Sequence, residues 1–264
     1  MTMNNIPWQQ ILNEAISKPG SIHAAYTRFH NYSMGNQMLA MFQCAARNLE
    51  AGPIGTFLHW KRAGRHVLKG AKALTLCMPV TYKSQAPEPA DGEEQTSGGS
   101  YTRFIYRPHW FVLAQTDGAA YVAPEIPEWS KPRALVTLDI AEVRFTEMNG
   151  NAQGFARKRD VSVSPIAALP WKTLFHELGH VMLGHTGEGA LTDGSETPRS
   201  LREVEAESVA LLCCESLGLE GAEYCRGYIQ SWGSEIPERS AQRIFHAADQ
   251  ILRAGRPKSE KAVN

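Results

Sequence analysis

The sequence lacks the features of a membrane-spanning, secreted or disulfide-stabilised protein. No apolar run approaches the roughly 18 residues that a membrane helix requires, and Met1–Trp8 shows no basic stretch followed by an apolar one. The five cysteines are odd in number and show no Cys-x-x-Cys spacing, which argues against a disulfide framework and a zinc ribbon. We therefore expect a cytoplasmic protein with reduced thiols and no membrane partner.

A net charge is also absent, since 27 Lys and Arg residues balance 27 Asp and Glu residues. Such a balance normally counts against nucleic-acid binding, but here the charges are unevenly distributed. Residues 1–125 hold 11 basic and 8 acidic residues, and four of these acids lie in the Pro/Gly/Ser-rich stretch Ser84–Ser100, which has the composition of a loop. Without that stretch the N-terminal region is clearly basic.

The length of 264 residues exceeds the usual size of one domain, roughly 100 to 150 residues, so we expect two domains. Apolar residues at helical spacing predict helices within residues 7–50, and strand-like runs at His66–Tyr82 and Tyr101–Gln115 are expected to pair. Prolines within residues 121–133 indicate a connection between domains. The predicted domains are therefore residues 1–125 and 126–264.

The C-terminal half begins with short strand-like runs and ends almost wholly in helices. The strand-like runs are Ala134–Leu138, Val143–Phe145 and Phe155–Val163. Three helices are expected, from Pro170 to near Gly184, from Pro198 to about Leu217, and over Ser240–Ala254. This order predicts an α+β protein whose second domain combines a small sheet with a pair of helices.

A His-Glu-x-x-His pattern lies on the first of these helices. His176 and His180 are four residues apart and share one face, and Glu177 follows the first histidine. A zinc ion with three protein ligands retains a water, and a neighbouring carboxylate can accept the proton of that water during attack on an amide. Apolar residues cover much of this helix, so burying the three polar groups without a metal would be costly. We predict one zinc ion per chain, with Glu177 as the catalytic base.

The third ligand is expected from the following helix, which carries three closely spaced glutamates. Glu203 and Glu207 lie one turn apart, so Glu203 is the predicted ligand and Glu207 is predicted to hydrogen-bond a ligand histidine. An alternative is that Ser200 caps this helix and Glu203 completes a capping box. Glu205 projects from another face and is predicted to be solvated. It is the fallback candidate for the third ligand. His185 is expected to turn away from the shared face, to the surface or to a place behind a ligand.

These patterns occur in a chain that resembles the ArdC-type antirestriction proteins of conjugative plasmids and related mobile elements. The resemblance rests on the segments Tyr32–Leu39, Trp60–Ala73, Phe111–Thr116, His176–His180, Glu203–Glu207 and Tyr228–Trp232. It implies an N-terminal domain that binds single-stranded DNA, followed by a zincin-like metallopeptidase domain. It also implies a role in shielding incoming DNA from host restriction, with an unidentified protein or peptide as a substrate of the peptidase site.

The N-terminal domain carries residue types suited to single-stranded DNA. Cations along a groove neutralise phosphates, and aromatic faces stack on unpaired bases. The predicted DNA-binding residues are Trp60, Lys61, Arg62, Arg65, Lys69 and Lys72. The five cations fall within twelve residues that contain no acid. A solvated charged turn beside the aromatics of a sheet core is the alternative; composition alone favours it, whereas the resemblance favours DNA binding.

Three functions remain open at this level. The first is a DNA-protecting antirestriction protein of conjugation that carries a zinc metallopeptidase site. The second is a cytoplasmic regulatory zinc protease that cleaves a repressor-type protein, although 125 residues with a basic run suit a nucleic-acid binder better. The third is a binding module whose zinc is purely structural.

Overall fold

The computed structural model describes residues 7–83, 100–146, 152–187 and 198–257. Within these ranges the chain combines helices with strands, which confirms the predicted α+β class. The helices are α1 (Trp8–Ser17), α2 (Ser21–Phe29), α3 (Met34–Ala46), α4 (Phe57–Arg62), α5 (Lys131–Leu138), α6 (Pro170–Met182), α7 (Arg199–Leu217), α8 (Ala222–Ser231) and α9 (Glu238–Ala254). The strands are β1 (Ile54–Thr56), β2 (Arg65–Val67), β3 (Leu74–Lys83), β4 (Ser100–Val112), β5 (Thr116–Gly118), β6 (Ala141–Glu142), β7 (Gly154–Arg157) and β8 (Asp160–Val163).

Packing divides the chain into two compact units. Unit 1 takes the described residues of Phe42–Tyr121, and unit 2 takes those of Ile6–Met41 and Val122–Asn264. The first two helices therefore pack with the C-terminal half, α1 against α9 and α2 against α7. This grouping differs from the predicted division at residue 125, which placed both helices in the N-terminal domain.

Polar contacts from distant parts of the sequence hold these two helices in unit 2. A helix begins with backbone N–H groups that have no partner inside the helix. At the start of α1, Glu238 accepts hydrogen bonds from the backbone N–H groups of Trp8 (3.1 Å) and Gln9 (2.9 Å). At the start of α2, Glu215 accepts one from the N–H of Ile22 (3.1 Å). The local spacing of apolar residues predicts the helices but cannot reveal these partners.

Unit 1 is built on an antiparallel sheet in the order β1-β4-β3. β3 pairs with β4 along its whole length, with an irregularity between Leu74 and Thr75, and this confirms the predicted pairing of the two runs. β2 and β5 form a second antiparallel pair, and α4 packs against β1 and β2. The core of the unit includes the buried side chains of Trp60, Leu76 and Val112.

Unit 2 surrounds α7, which is buried continuously from Val204 to Ser216. Its sheet has the order β6-β8-β7, so β7 is an edge strand, and β7 runs antiparallel to β8. Helix α6 packs against α7 and also against β7 and β8. The two helices approach closely at Gly179, where an added Cβ would lie 3.2 Å from Cα of Ala206. The missing side chain at Gly179 thus permits the short distance between the helices that carry the predicted metal ligands.

Some local expectations differ from the structure. Ala134–Leu138 belongs to helix α5 rather than to a strand, because Ser130 caps the helix and Pro132 lies in its first turn. Val143–Phe145 lies beyond strand β6, which ends at Glu142. Helix α4 occurs where no helix was expected, and α8 lies within the end of the chain that was expected to be almost wholly helical, although no bounds were predicted for it.

The predicted connection at residues 121–133 begins at the boundary between the two units and ends inside α5. Residues 84–99 of the predicted loop lie outside the described residues. Among the helices that the structure describes, none has the length and apolar character needed to cross a membrane.

Candidate functional site

Three side chains predicted as metal ligands converge on one point in unit 2. Nε2 of His176 lies 3.1 Å from Nε2 of His180, and Oε2 of Glu203 lies 3.4 Å from the first nitrogen and 3.7 Å from the second. A tetrahedral zinc ion with bonds of about 2.0–2.1 Å holds neighbouring ligand atoms about 3.3 Å apart. The triangle therefore has the size that one such ion requires. No other group of this kind occurs in the part of the chain that the structure describes.

Glu207 lies behind the first histidine. Its Oε2 accepts a hydrogen bond from Nδ1 of His176 at 2.8 Å, and its Oε1 lies 2.9 Å from Nζ of Lys172. Burial opposes the charge of Glu207, but the hydrogen bond from His176 and the charge of Lys172 hold the pKa of this carboxyl below its usual value. With its proton on Nδ1, His176 keeps the lone pair of Nε2 directed at the triangle.

Glu177 is buried beside the triangle, close to the edge strand β7. Burial raises the pKa of Glu177, although the charges of His176 and His180 lower it. An added Cβ at Gly154 of β7 would lie 3.0 Å from Oε1 of Glu177 and 2.6 Å from Cγ2 of Thr173. Gly154 therefore leaves the space that the carboxylate occupies. A raised pKa suits a carboxylate that accepts a proton near neutral pH.

The site concentrates negative charge around two imidazoles. Burial opposes a positive charge on His176, but hydrogen bonds to Glu203 and Glu207 raise the pKa of this histidine to about 9. The hydrogen bonds from His176 and His180 lower the pKa of Glu203. The cluster therefore favours positive charge at its centre, which a proton supplies in the metal-free protein and which a bound cation could supply instead.

A chain of polar groups lies behind the second histidine, and His185 takes the second of its two expected positions, behind a ligand. Nδ1 of His185 lies 3.0 Å from Nδ1 of His180, and Nε2 of His185 lies 2.9 Å from Oε2 of Glu205. The expectation that Glu205 is solvated is wrong: its side chain is 0% exposed and lies near both His185 and Arg243. Burial lowers the pKa of His185. Burial acts to raise the pKa of Glu205, but the hydrogen bond from His185 contributes to holding that pKa below its usual value. Arg243 comes from α9, so no local signal could have identified it.

Two predicted DNA-binding residues serve the fold of unit 1. Trp60 is 0% exposed, and its Nε1 donates to the carbonyl of Phe111 at 2.9 Å. The expectation that Trp60 stacks on a base is therefore corrected, because its ring has no face open to solvent. Arg65 donates from Nε to Oγ1 of Thr116 at 2.8 Å, from Nη2 to the Thr116 carbonyl at 2.9 Å, and from Nη1 to the carbonyl of Ala119. Its guanidinium joins β2 to β5 and has few donors left for a phosphate.

The other predicted cations lie on the surface of unit 1. They are Lys61, Arg62, Lys69 and Lys72. On α4, the exposed Phe57 (59%) and Leu58 (53%) precede Lys61 and Arg62 by one turn, so each apolar side chain shares a face with a cation. We refer to these four residues of α4 as the α4 surface. Phe57 and Leu58 were missed because α4 was not predicted; the four-residue spacing to the two cations was the available signal.

The N-terminal domain model of the anti-restriction factor ArdC matches residues 2–106. The fold is similar to that of antirestriction ArdC protein from the R388 plasmid. The Mn(II)-bound structure of that protein shares 16% identity, with a TM-score of 0.50, over 94% of this chain and 97% of its own. The metal-free structure shares 20% identity, with a TM-score of 0.49, over 94% of each chain. No curated protein matches this chain.

Proposed function

We propose that this chain, which is ArdC-type in its N-terminal sequence and in its fold, is an antirestriction protein that binds single-stranded DNA and holds one zinc ion in a peptidase-type site. The observation that carries the proposal is the convergence of His176, His180 and Glu203 at tetrahedral spacing, with Glu177 beside them. The match to the ArdC N-terminal domain supports the antirestriction role and the interaction with nucleic acid.

The donor set favours zinc over manganese. Two imidazole nitrogens and one carboxylate oxygen are common zinc ligands and leave a fourth position for water, whereas manganese favours oxygen donors. One solved structure of R388 ArdC is Mn(II)-bound, which supports a divalent cation in the proposed site of this chain. A bound divalent cation would supply Lewis acidity and a more acidic water. Glu177 is placed to accept a proton at its carboxylate.

An edge strand beside the site offers a place for an extended substrate. β7 lies at the edge of its sheet and brings Gly154 against Glu177. An edge strand has backbone N–H and carbonyl groups to which an extended peptide can add as a further strand. We therefore propose that the substrate of the peptidase site is an extended segment of a protein.

The α4 surface is the part of unit 1 that we propose for single-stranded DNA. Lys61 and Arg62 would contact phosphates, and the exposed ring of Phe57 would stack on a base, a contact worth roughly 1–3 kcal/mol. Charge alone favours duplex DNA, because its charge density is higher. A preference for single strands therefore depends on stacking, which duplex bases do not offer. Lys69 and Lys72 extend the positive charge beyond α4.

Fluorescence anisotropy with a labelled oligothymidine and a duplex of equal length tests the DNA-binding part. The full chain is required, because α1 and α2 pack with the C-terminal half. Phe57→Ala should weaken binding of the single strand more than that of the duplex. Lys61→Ala combined with Arg62→Ala should weaken both complexes and reduce the salt slope by about 1 per cation removed.

Lys18→Ala is the matched control, because Lys18 is an exposed lysine of unit 2. It should bind both DNA forms as the wild type does. Equal and salt-insensitive binding of the two forms, or binding of neither, would contradict the DNA-binding part and favour the regulatory protease.

Hydrolysis of fluorescently labelled casein tests the peptidase part. The zinc-loaded wild type should release labelled peptides, and Glu177→Gln should not, because the amide has a similar size but cannot accept a proton. The variant should retain its zinc and its DNA binding. Normal turnover by Glu177→Gln would show that Glu177 is not the base, and a zinc-loaded wild type without hydrolysis would favour a structural metal.

A further inference from the structure

The backbone turns sharply immediately after α6, the helix that carries His176 and His180. α6 ends at Met182, and Gly184 adopts a left-handed conformation with φ of 75°, which glycine adopts without strain. This turn lets the backbone N–H of His185 donate to the carbonyl of His180 at 2.9 Å. The side chain of His185 consequently lies against the ring of His180, with the two Nδ1 atoms 3.0 Å apart.

The contact between the two rings determines where their protons reside. When Nε2 of His180 faces a metal, Nδ1 of the same ring carries the proton and donates it. Nδ1 of His185 must then accept that hydrogen bond, so the proton of His185 resides on Nε2. That nitrogen lies 2.9 Å from Oε2 of Glu205, which accepts from it. The direction of each hydrogen bond therefore follows from the one before, in a series that joins Glu205, His185 and His180.

Glu205 is buried near an arginine of another helix. Its side chain is buried, and a buried carboxylate without partners would be costly. Nη1 of Arg243, from α9, lies 3.8 Å from Oε1 of Glu205, and Nη2 of the same arginine donates to the carbonyl of Leu183. Arg243 thus connects the buried carboxylate to the residue that ends the helix carrying His180.

Helix α7 supplies one glutamate to each part of the site. Glu203 forms one corner of the triangle, and Glu207 accepts a hydrogen bond directly from His176. Glu205 contacts His185, which in turn contacts His180. A metal-binding histidine generally donates its second ring N–H to an acceptor, which fixes the orientation of the ring and raises its basicity. Both predicted ligand histidines therefore have such an acceptor. For His176 it is the carboxylate of Glu207, and for His180 it is the imidazole of His185.

We propose that His185 and Glu205 are positioning residues, which fix the tautomer and the ring orientation of His180 so that its Nε2 faces the metal. This inference rests on the proposed metal site. In this arrangement Glu205 is not a fallback ligand, because its carboxylate lies against His185 rather than at the triangle, with Oε2 2.9 Å from Nε2 of that histidine.

Two measurements test the proposal. The first is zinc affinity, determined by competition with a chromophoric chelator, and the second is the absorption spectrum of the cobalt(II)-substituted chain. His185→Phe keeps a ring of similar size but removes the acceptor, so we expect zinc affinity to fall about 10- to 100-fold and the cobalt spectrum to change. His185→Gln offers an amide oxygen to His180 and an amide N–H to Glu205, and should recover most of the affinity. Glu205→Gln keeps the shape but removes the charge, and should lower the affinity as well.

Phe245→Leu is the control for a purely structural effect. Phe245 is buried in α9 of the same unit, and its ring packs against Trp8. Urea unfolding of each metal-free variant gives the loss of stability with which the loss of zinc affinity is compared. Should His185→Phe fail to fold, the decision rests on Glu205→Gln and His185→Gln.

The proposal is overturned if His185→Phe and Glu205→Gln bind zinc as tightly as the wild type with an unchanged cobalt spectrum. It is also overturned if Phe245→Leu loses as much affinity at an equal loss of stability. A wild-type chain that binds no zinc would instead refute the proposed metal site, on which the inference rests. The wild-type measurement therefore distinguishes the two failures.

Discussion

Gly179→Ala should weaken the metal site by forcing its two helices apart. An added Cβ would lie 3.2 Å from Cα and O of Ala206 and 3.2 Å from Cβ of Val209. Contacts this short require a shift of a few tenths of an ångström, and two of the three atoms belong to the backbone of α7. Because α6 carries both histidines and α7 carries Glu203, the shift would widen the triangle of ligand atoms.

Gly227→Ala provides a matched control within the same unit. Gly227 lies inside α8, and in the described part of the chain no atom beyond the local backbone of α8 lies within 4 Å of the position of an added Cβ. Replacing a glycine inside a helix by alanine stabilises a protein by roughly 0.5–1 kcal/mol, so Gly227→Ala should gain that amount. Gly179→Ala gains the same stabilisation from its backbone, but overpacking lowers the free energy of unfolding by about 1–3 kcal/mol. The net loss of stability should therefore be roughly 0–2.5 kcal/mol.

Urea unfolding of the metal-free variants gives the two free energies of unfolding, and chelator competition gives the two zinc affinities. We expect Gly179→Ala to be less stable than Gly227→Ala and to bind zinc more weakly than the wild type. If Gly179→Ala is as stable as Gly227→Ala and binds zinc as the wild type does, then the close approach of α6 and α7 does not determine the ligand geometry.

Three further predictions concern stability. Trp60→Ala should destabilise unit 1 by about 3–5 kcal/mol, as measured by urea unfolding; a fully stable variant with a selective loss of DNA binding would show that Trp60 acts on DNA after all. Glu238→Ala removes the acceptor at the start of α1 and should cost about 1 kcal/mol, whereas the exposed Glu235→Ala should cost little; equal losses would contradict the capping role. In the metal-free chain the pKa of His176 is raised from 6.5 to about 9, so its contribution to stability is fully present below pH 6.5 and disappears as the pH rises towards 9. Unfolding free energies measured across this interval should fall more steeply for the wild type than for His176→Gln, and parallel profiles would refute the assignment.

The shared faces of the predicted ligands within each helix were predictable from helical spacing, whereas the approach of the two helices was not. His176 and His180 share one face of α6, and Glu203 and Glu207 share one face of α7. In the structure the two Nε2 atoms lie 3.1 Å apart, and both glutamates of α7 face His176. A place for His185 behind a ligand was among the expectations, but its contact with the buried Glu205 was not predictable, because that contact depends on a turn at a glycine and on an arginine from α9.

The same limit explains the other differences. An aromatic side chain in a basic run looks the same in sequence whether it faces solvent or the core. Trp60 of α4 faces the core, where its ring donates to the carbonyl of Phe111 in β4. The apolar, partly β-branched stretch Ala134–Leu138 has strand character, but the cap at Ser130 makes it helical. The pairing of β3 with β4 was predictable, because two long strand-like runs of one domain have each other as the natural partner.

The metal content of the purified chain, loaded with zinc, desalted and measured by mass spectrometry, tests the central claim most directly. We predict one zinc ion per chain for the wild type and for Glu177→Gln, because Glu177 is not a ligand. His176→Ala and Glu203→Ala should retain far less, because each removes one corner of the triangle. Full zinc stoichiometry in both His176→Ala and Glu203→Ala, or no zinc in the wild type, would contradict the account.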